Sequence, residues 1–71
     1  MSFAENLKKY REKKDMSQAQ LAAAVGITQP TIAQYEKGLK LPTVVTAAEI
    51  AKRLGTTCEN LVRAEESGVT I

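Results

Sequence analysis

The chain has 71 residues, of which 44% are hydrophobic and 25% charged, the composition of one small globular domain. One cysteine and no histidine exclude an internal disulfide and a structural zinc site, so helix packing or self-association must supply the stability. The net charge is +2, and the basic excess lies in residues 1–40, which suits either a solvated helix face or a face directed at a polyanion.

Capping residues and hydrophobic periodicity predict five helices, with no internal repeat and no hairpin signal. The first helix opens at Ser2, whose spacing to Glu5 is that of a capping box, and ends near Asp15. Its buried face is marked by apolar residues at helical spacing: Phe3, Leu7 and Tyr10.

The second helix opens at Ser17, which forms a second capping-box pattern with Gln20. It ends at Gly26, because glycine tolerates the left-handed backbone that a sharp turn between helices requires. The alanines at 22–24 favour the helix and let a neighbouring helix approach closely. The residues expected to face inward are Leu21, Ala22 and Val25.

The third helix opens at Thr28, which we interpret as its cap, tolerates Pro30 in its first turn and stops at Gly38. With about 100° between successive residues, Ile32 and Tyr35 fall on an inner side together with Thr28. The opposite side carries polar and small residues that a core does not require: Gln29, Pro30, Ala33, Gln34 and Lys37.

Two further helices are predicted after a linker at residues 39–42. The fourth runs from near Thr43 to Leu54 and is followed by Gly55; its apolar stripe consists of Val44, Ala47, Ile50, Ala51 and Leu54. The fifth is capped by Thr57 and fades at residues 65–68; its inward residues are Cys58, Leu61 and Val62. We therefore predict one domain at residues 1–66 and a short β-prone tail at 67–71.

The second and third helices indicate a function. Two short helices joined by a glycine turn, the second with an exposed polar face, have the geometry of a helix-turn-helix, whose second helix enters the DNA major groove. A glutamine amide can pair with N7 and N6 of adenine, so Gln29 and Gln34 are candidate base contacts. Gln18, at the start of the second helix, and Lys37 are placed for phosphates. Taken singly, such residues are more often simply solvated.

Residues 7–62 resemble the phage repressor and Cro family of helix-turn-helix regulators, also called XRE-like. The resemblance implies an all-α, lambda-repressor-like bundle of five helices in which helices 2 and 3 form the helix-turn-helix. It lies in these motifs: Ser17-Gln18-x-x-Leu21-Ala22, Val25-Gly26-Ile27-Thr28-Gln29, Ile32-x-x-Tyr35-Glu36-x-Gly38, Pro42 and Ile50-Ala51-x-x-Leu54-Gly55.

The resemblance also implies residue roles, with Gln29 reading an adenine. The base-reading positions are Gln29, Pro30, Ala33 and Gln34. The positions matching phosphate contacts are Ser17, Gln18, Thr28, Thr31, Lys37 and Lys40. Arg11 and Glu36 match an ion pair that ties the first helix to the end of the third. Pro30 departs from the polar residue that relatives often carry, and it offers only apolar contact, for example to a thymine methyl.

The sequence therefore predicts a DNA-binding transcriptional regulator, a small Cro-like phage or prophage repressor that binds a pseudo-palindromic operator as a homodimer. The fifth helix and the tail are the expected dimer surface. The alternatives are a restriction–modification controller and an antitoxin or adaptor that binds protein. An enzyme is rejected, because histidine is absent and Cys58 lies on an apolar stripe.

No cofactor, metal or small-molecule ligand is expected, because 71 residues leave no room for a second, sensing domain. The lone cysteine favours a reducing compartment, and we find neither a signal peptide nor an apolar run approaching the roughly 20 residues of a membrane span. These features predict a cytoplasmic protein that does not bind membranes.

Overall fold

The computed structural model describes residues 3–61. The helices are α1 (Phe3–Lys13), α2 (Gln18–Val25), α3 (Gln29–Glu36) and α4 (Val44–Arg53), and helical residues 58–61 begin a fifth, α5. No strand occurs within this range, so the all-α, five-helix prediction is confirmed. The predicted cap at Ser2, Val62, the end of the fifth helix and the tail at 67–71 lie outside the described residues.

All five helices contribute to a single core. Helix α3 packs against α1 and α2, and α2 packs in turn against α4. Each helix supplies one large aliphatic side chain with no exposed surface: Leu7, Leu21, Ile32, Ile50 and Leu61. Burying such a side chain stabilises the fold by about 1.5–3 kcal/mol, so these five residues are the main apolar contribution in a chain that has few aromatic residues.

Two residues expected on inner faces lie elsewhere, whereas Cys58 packs against the core as expected. Val44 is 83% exposed, and Thr28 is exposed. Val44 is the first residue of α4 and Thr28 precedes α3, so both lie at helix starts. Periodicity predicts the direction in which a side chain points, but it does not predict how far the core extends along the helix. In these helices the core begins after the first residue.

The predicted capping box at Ser17 and the predicted turn at Gly26 are both present. The Ser17 hydroxyl accepts from the Gln20 amide at 3.0 Å, and the Gln20 side chain accepts from the Ser17 amide at 2.8 Å. Gly26 has φ 86° and ψ 27°, the left-handed conformation expected at the turn. Asp15 also has a positive φ, 55°, which the sequence analysis did not predict. It lies in the turn between α1 and α2.

Asn6 is a buried polar residue to which the sequence analysis gave no role. Its Nδ2 donates to the backbone carbonyl of Leu61 at 2.6 Å and thereby connects α1 to α5. Asn6 directly precedes Leu7 in a helix whose buried stripe includes Leu7. That position places it at the edge of the core, but no local pattern identifies a partner 55 residues away.

A nearly buried ion pair connects α1 to the end of α3. Arg11 Nε lies 2.6 Å from Glu36 Oε2 and Arg11 Nη2 lies 3.1 Å from Oε1, while the two side chains are 11% and 4% exposed. The third donor, Arg11 Nη1, reaches the carbonyl of Met16 at 2.6 Å. The hydrogen bond to Glu36 raises the pKa of Arg11 against the opposing effect of burial, so the guanidinium stays charged.

Replacing Arg11 by Met should destabilise the protein strongly, because Glu36 would remain nearly buried without a counter-charge. We expect a loss of about 3–5 kcal/mol in the free energy of unfolding, measured by urea denaturation followed by circular dichroism. Replacing both partners with apolar residues, in Arg11→Met/Glu36→Leu, should recover most of it.

The matched control is Arg53→Met, which changes an exposed arginine of α4 and should alter stability by less than about 0.5 kcal/mol. Equal losses in Arg11→Met and Arg53→Met would contradict the importance assigned to the ion pair.

Candidate nucleic-acid interface

Helices α2 and α3 form a helix-turn-helix whose turn is fixed by backbone hydrogen bonds. The amides of Gly26 and Ile27 both donate to the carbonyl of Ala22, at 2.8 and 3.0 Å, and so close the end of α2. The left-handed Gly26 then redirects the chain into α3. Ile32 and Tyr35 anchor α3 in the core, which fixes the direction of its opposite face.

That opposite face of α3, which we call the readout face, is open to solvent. Gln29, Pro30, Gln34 and Lys37 are exposed, and Ala33 is half-buried. Helix α3 packs chiefly against α1 and α2, and the exposure of Gln29, Pro30, Gln34 and Lys37 shows that no described element covers these side chains. A polar helix surface standing clear of the domain has the shape needed to enter a groove.

Thr28 occupies the position before α3, but its side chain makes no capping hydrogen bond to the helix, contrary to our interpretation of it as a cap. Its hydroxyl instead lies 2.8 Å from the hydroxyl of Thr31. The reason is local, since Thr31 lies one helical turn away and its hydroxyl competes with the backbone amides. Two threonine hydroxyls therefore lie together at the start of the readout face.

A chain of hydrogen bonds runs from the ion pair to the readout face. Gln18 Nε2 donates to Glu36 Oε1 at 3.1 Å, and Gln29 Nε2 donates to Gln18 Oε1 at 2.8 Å. The sequence predicts a phosphate contact for Gln18 and neither of these hydrogen bonds. No local pattern indicates them, because Gln18 is separated from Glu36 by 18 residues and from Gln29 by 11.

Exposed basic side chains occur both at the readout face and elsewhere on the domain. Lys37 and Lys40 are exposed beyond the end of α3, at the edge of the readout face. Four lysines of α1 and the following turn are also exposed: Lys8, Lys9, Lys13 and Lys14. The Lys13 ammonium lies 5.7 Å from the centre of the Tyr10 ring, a contact that holds it against its own helix.

Among residues 3–61, no three or more histidine, cysteine or carboxylate side chains are grouped so that they could hold a metal ion. None of the helices in that range combines the length and apolarity required to cross a membrane.

Comparison with known proteins gives a family. A helix-turn-helix family model matches residues 7–61, most of the chain. The transcriptional repressor RstR of the cryptic phage CTXphi, from Vibrio cholerae, is 28% identical over 67 residues, which are 94% of this chain and 60% of that protein. The chain spans between half and two thirds of the length of the curated relatives it matches first.

Solved structures show the same fold. The P22 c2 repressor, solved in complex with a synthetic operator, gives a TM-score of 0.85 at 24% identity and covers 89% of this chain and 96% of its own. Hydroxypropylphosphonic acid epoxidase from S. wedmorenis gives 0.78 at 40% identity, covering 84% of this chain but only 32% of its own. The family-model match over residues 7–61 confirms the predicted family, and the chain belongs to the helix-turn-helix transcriptional regulators.

Proposed function

We propose that this chain binds DNA sequence-specifically by inserting the readout face of α3 into the major groove. The observation that carries the proposal is the exposed Gln29 amide at the start of α3, which is held in place by a hydrogen bond from its Nε2 to Gln18. An exposed glutamine that only interacts with water has no reason to be positioned. A positioned amide is suited to a base edge, because a bidentate pair with adenine requires a defined direction.

Four residues of the readout face have proposed base-reading roles. Gln29 contacts an adenine, and Gln34 reads a second base edge further along α3. Pro30 and Ala33 have no polar side-chain atoms, so they offer apolar contacts such as those with a thymine methyl. The exposed positions of Gln29, Pro30 and Gln34 support these roles.

The phosphate contacts are proposed for groups that surround the readout face. Lys37 and Lys40 are charged and exposed, as a backbone contact requires. The hydroxyls of Ser17, Thr28 and Thr31 can donate to phosphate oxygens, since each retains its proton for a further bond or can rotate to supply it. Gln18 has a second N–H available for the same purpose.

We infer that the protein acts as a homodimer, because one small module buries too little surface for high specificity. A groove of about 510 Å³ lies between the α3–α4 linker and the starts of α1, α4 and α5. Its lining is almost entirely apolar: Phe3, Leu41, Pro42, Val44, Ala47, Cys58 and Glu59. We call this the apolar groove, and propose that a second copy covers it. It adjoins the fifth helix that we predicted as the dimer surface.

In this proposal two recognition helices lie about 34–36 Å apart and read a pseudo-palindromic operator. Repression follows from occlusion, when the bound dimer blocks polymerase. The role of RstR as a transcriptional repressor supports this direction of control. DNA as the target places the protein in the cytoplasm. The match with the epoxidase covers about a third of that enzyme, so it supports a shared helix-turn-helix segment, and we propose no catalytic activity here.

A protein-binding module, of the antitoxin or adaptor type, is the second candidate. The apolar groove favours it, because exposed aliphatic side chains in one place mark interaction sites. Gel retardation on DNA separates the two functions: retardation that is selective for a site and sensitive to salt supports DNA binding.

The base contacts can be tested by Gln29→Ala and Gln34→Ala. Each variant should lower the discrimination between the preferred base and its alternatives by about 1–3 kcal/mol at one position of the site. Sites selected from random DNA by the wild-type protein supply the probes, and fluorescence anisotropy gives the dissociation constants.

The control for these variants is Gln20→Ala, which removes a glutamine of α2 that caps the helix and does not lie on α3. It should leave base discrimination intact. Unchanged discrimination in Gln29→Ala and Gln34→Ala would refute the assigned base contacts.

The phosphate contacts predict a different signature for Lys37→Ala and Lys40→Ala. Each should weaken binding to all sequences similarly, and each should reduce the slope of log affinity against log salt by about 1. Titrations of anisotropy at several salt concentrations measure this slope. Lys52→Ala, which changes an exposed lysine of α4, serves as the control. If Lys52→Ala reduces the slope as much as Lys37→Ala and Lys40→Ala do, the assigned phosphate contacts are contradicted.

The homodimer predicts that a charge in the apolar groove separates the copies. Val44→Asp should shift the sedimentation coefficient from dimer to monomer and weaken operator binding, because an unpaired carboxylate would be buried in the interface. The control is Ala48→Asp, an exposed position of α4 outside the groove lining. Deletion of residues 68–71 tests the tail separately, and an unchanged dimer in both Val44→Asp and the deletion would exclude both surfaces.

A further inference from the structure

The hydrogen-bond chain that ends at Gln29 begins at a group that can only accept. The Glu36 carboxylate receives Arg11 Nε at Oε2, and it receives both Arg11 Nη2 and Gln18 Nε2 at Oε1. A carboxylate has no proton to donate, so a neighbouring amide must turn its NH2 group toward it. Glu36 is nearly buried and paired on its other side, and it therefore imposes this direction on Gln18.

The direction of Gln18 then determines the direction of Gln29. With its Nε2 facing Glu36, Gln18 presents its carbonyl oxygen to Gln29, which must donate an N–H to it, as the distance of 2.8 Å shows. One of the two N–H groups of Gln29 is thereby occupied within the protein. Its carbonyl oxygen and one N–H remain for a ligand.

Those two remaining groups match adenine and not guanine. Adenine presents an acceptor at N7 and a donor at N6, which fit one N–H and one carbonyl oxygen. Guanine presents two acceptors, N7 and O6, and an unrestrained glutamine could satisfy both by donating its two N–H groups. Gln29 cannot do so while one N–H is held by Gln18.

We infer that Glu36, acting through Gln18, is a specificity-determining residue that fixes the direction of the Gln29 amide and thereby excludes guanine at the base Gln29 contacts. The inference rests on the proposed function, since it refines how one base is read. Glu36 is a positioning residue here, because its own side chain is nearly buried and is bonded to Arg11 and Gln18.

Glu36→Gln gives a directional test. An amide at position 36 can keep its oxygen toward Arg11 Nε, the shorter contact at 2.6 Å, and turn its NH2 toward Gln18, where the wild-type oxygen accepts. The longer hydrogen bond from Arg11 Nη2, at 3.1 Å, is then lost. Gln18 then reverses, its NH2 faces Gln29, and Gln29 reverses in turn. Both N–H groups of Gln29 become available, so guanine becomes acceptable at that base.

The measurement compares two DNA sites that differ only at the base pair where Gln29→Ala lowers discrimination. The quantity is the dissociation constant for the site with guanine divided by that for the site with adenine. We expect a ratio of at least about 10 for the wild-type protein and below about 3 for Glu36→Gln. Gln18→Met, which leaves the ion pair intact, should lower the ratio similarly. Affinity changes shared by all sequences cancel in this ratio, and thermal unfolding of each variant confirms that it is folded at the assay temperature.

Two matched controls isolate the network. Glu49→Gln removes the same charge from α4, and Gln20→Met makes the same substitution on α2 outside the network; neither should change the ratio. In the free protein, the side-chain NH2 resonances of Gln29 should shift in Glu36→Gln and Gln18→Met but not in the controls.

Three results decide the matter. A guanine-to-adenine ratio that falls in Glu36→Gln and Gln18→Met, and is unchanged in both controls, supports the inference. An unchanged ratio in Glu36→Gln and Gln18→Met, with selective binding retained, overturns the inference alone. Absence of site-selective binding by the wild-type protein overturns the proposed function and this inference with it.

Discussion

The Arg11–Glu36 ion pair is the interaction on which the arrangement of the binding surface depends. It joins α1 to the end of α3, and Arg11 also bonds the carbonyl of Met16 just before α2. One guanidinium thus fixes three segments relative to one another. A nearly buried pair contributes modestly to stability when compared with an apolar replacement, so its value here lies in geometry. Gln18 and Gln29 continue that geometry to the exposed surface.

The two sides of α3 have separate tasks. Ile32 and Tyr35 stabilise the fold by burial, whereas the readout face is mostly exposed and adds little to stability. Helix α3 has only eight residues. A helix this short is not stable alone, and its inner side chains, together with the turn at Gly26, must hold it on α1 and α2.

Short sequence patterns predicted the features that depend only on neighbouring residues. The caps of Ser17 and Thr57 and the turn at Gly26 depend on residues within one helical turn, and the structure contains all three. The contact between Asn6 and Leu61 spans 55 residues, so nothing in the neighbouring sequence indicates it. The network of Gln18 was missed for the same reason. Val44 was misplaced because a periodic stripe does not show where the core ends. The roles of the readout face and the domain boundary at residue 66 stay predictions.

The α3–α4 linker connects the two proposed binding events. Lys37 and Lys40, the proposed phosphate contacts, precede Leu41 and Val44 of the apolar groove by only a few residues. A second copy seated on the groove would restrict the backbone of this linker, and the lysines would then lose less conformational freedom on reaching a phosphate. DNA binding and self-association therefore share an entropic cost, and whichever occurs first favours the other. In the proposed dimer this coupling links operator affinity to protein concentration.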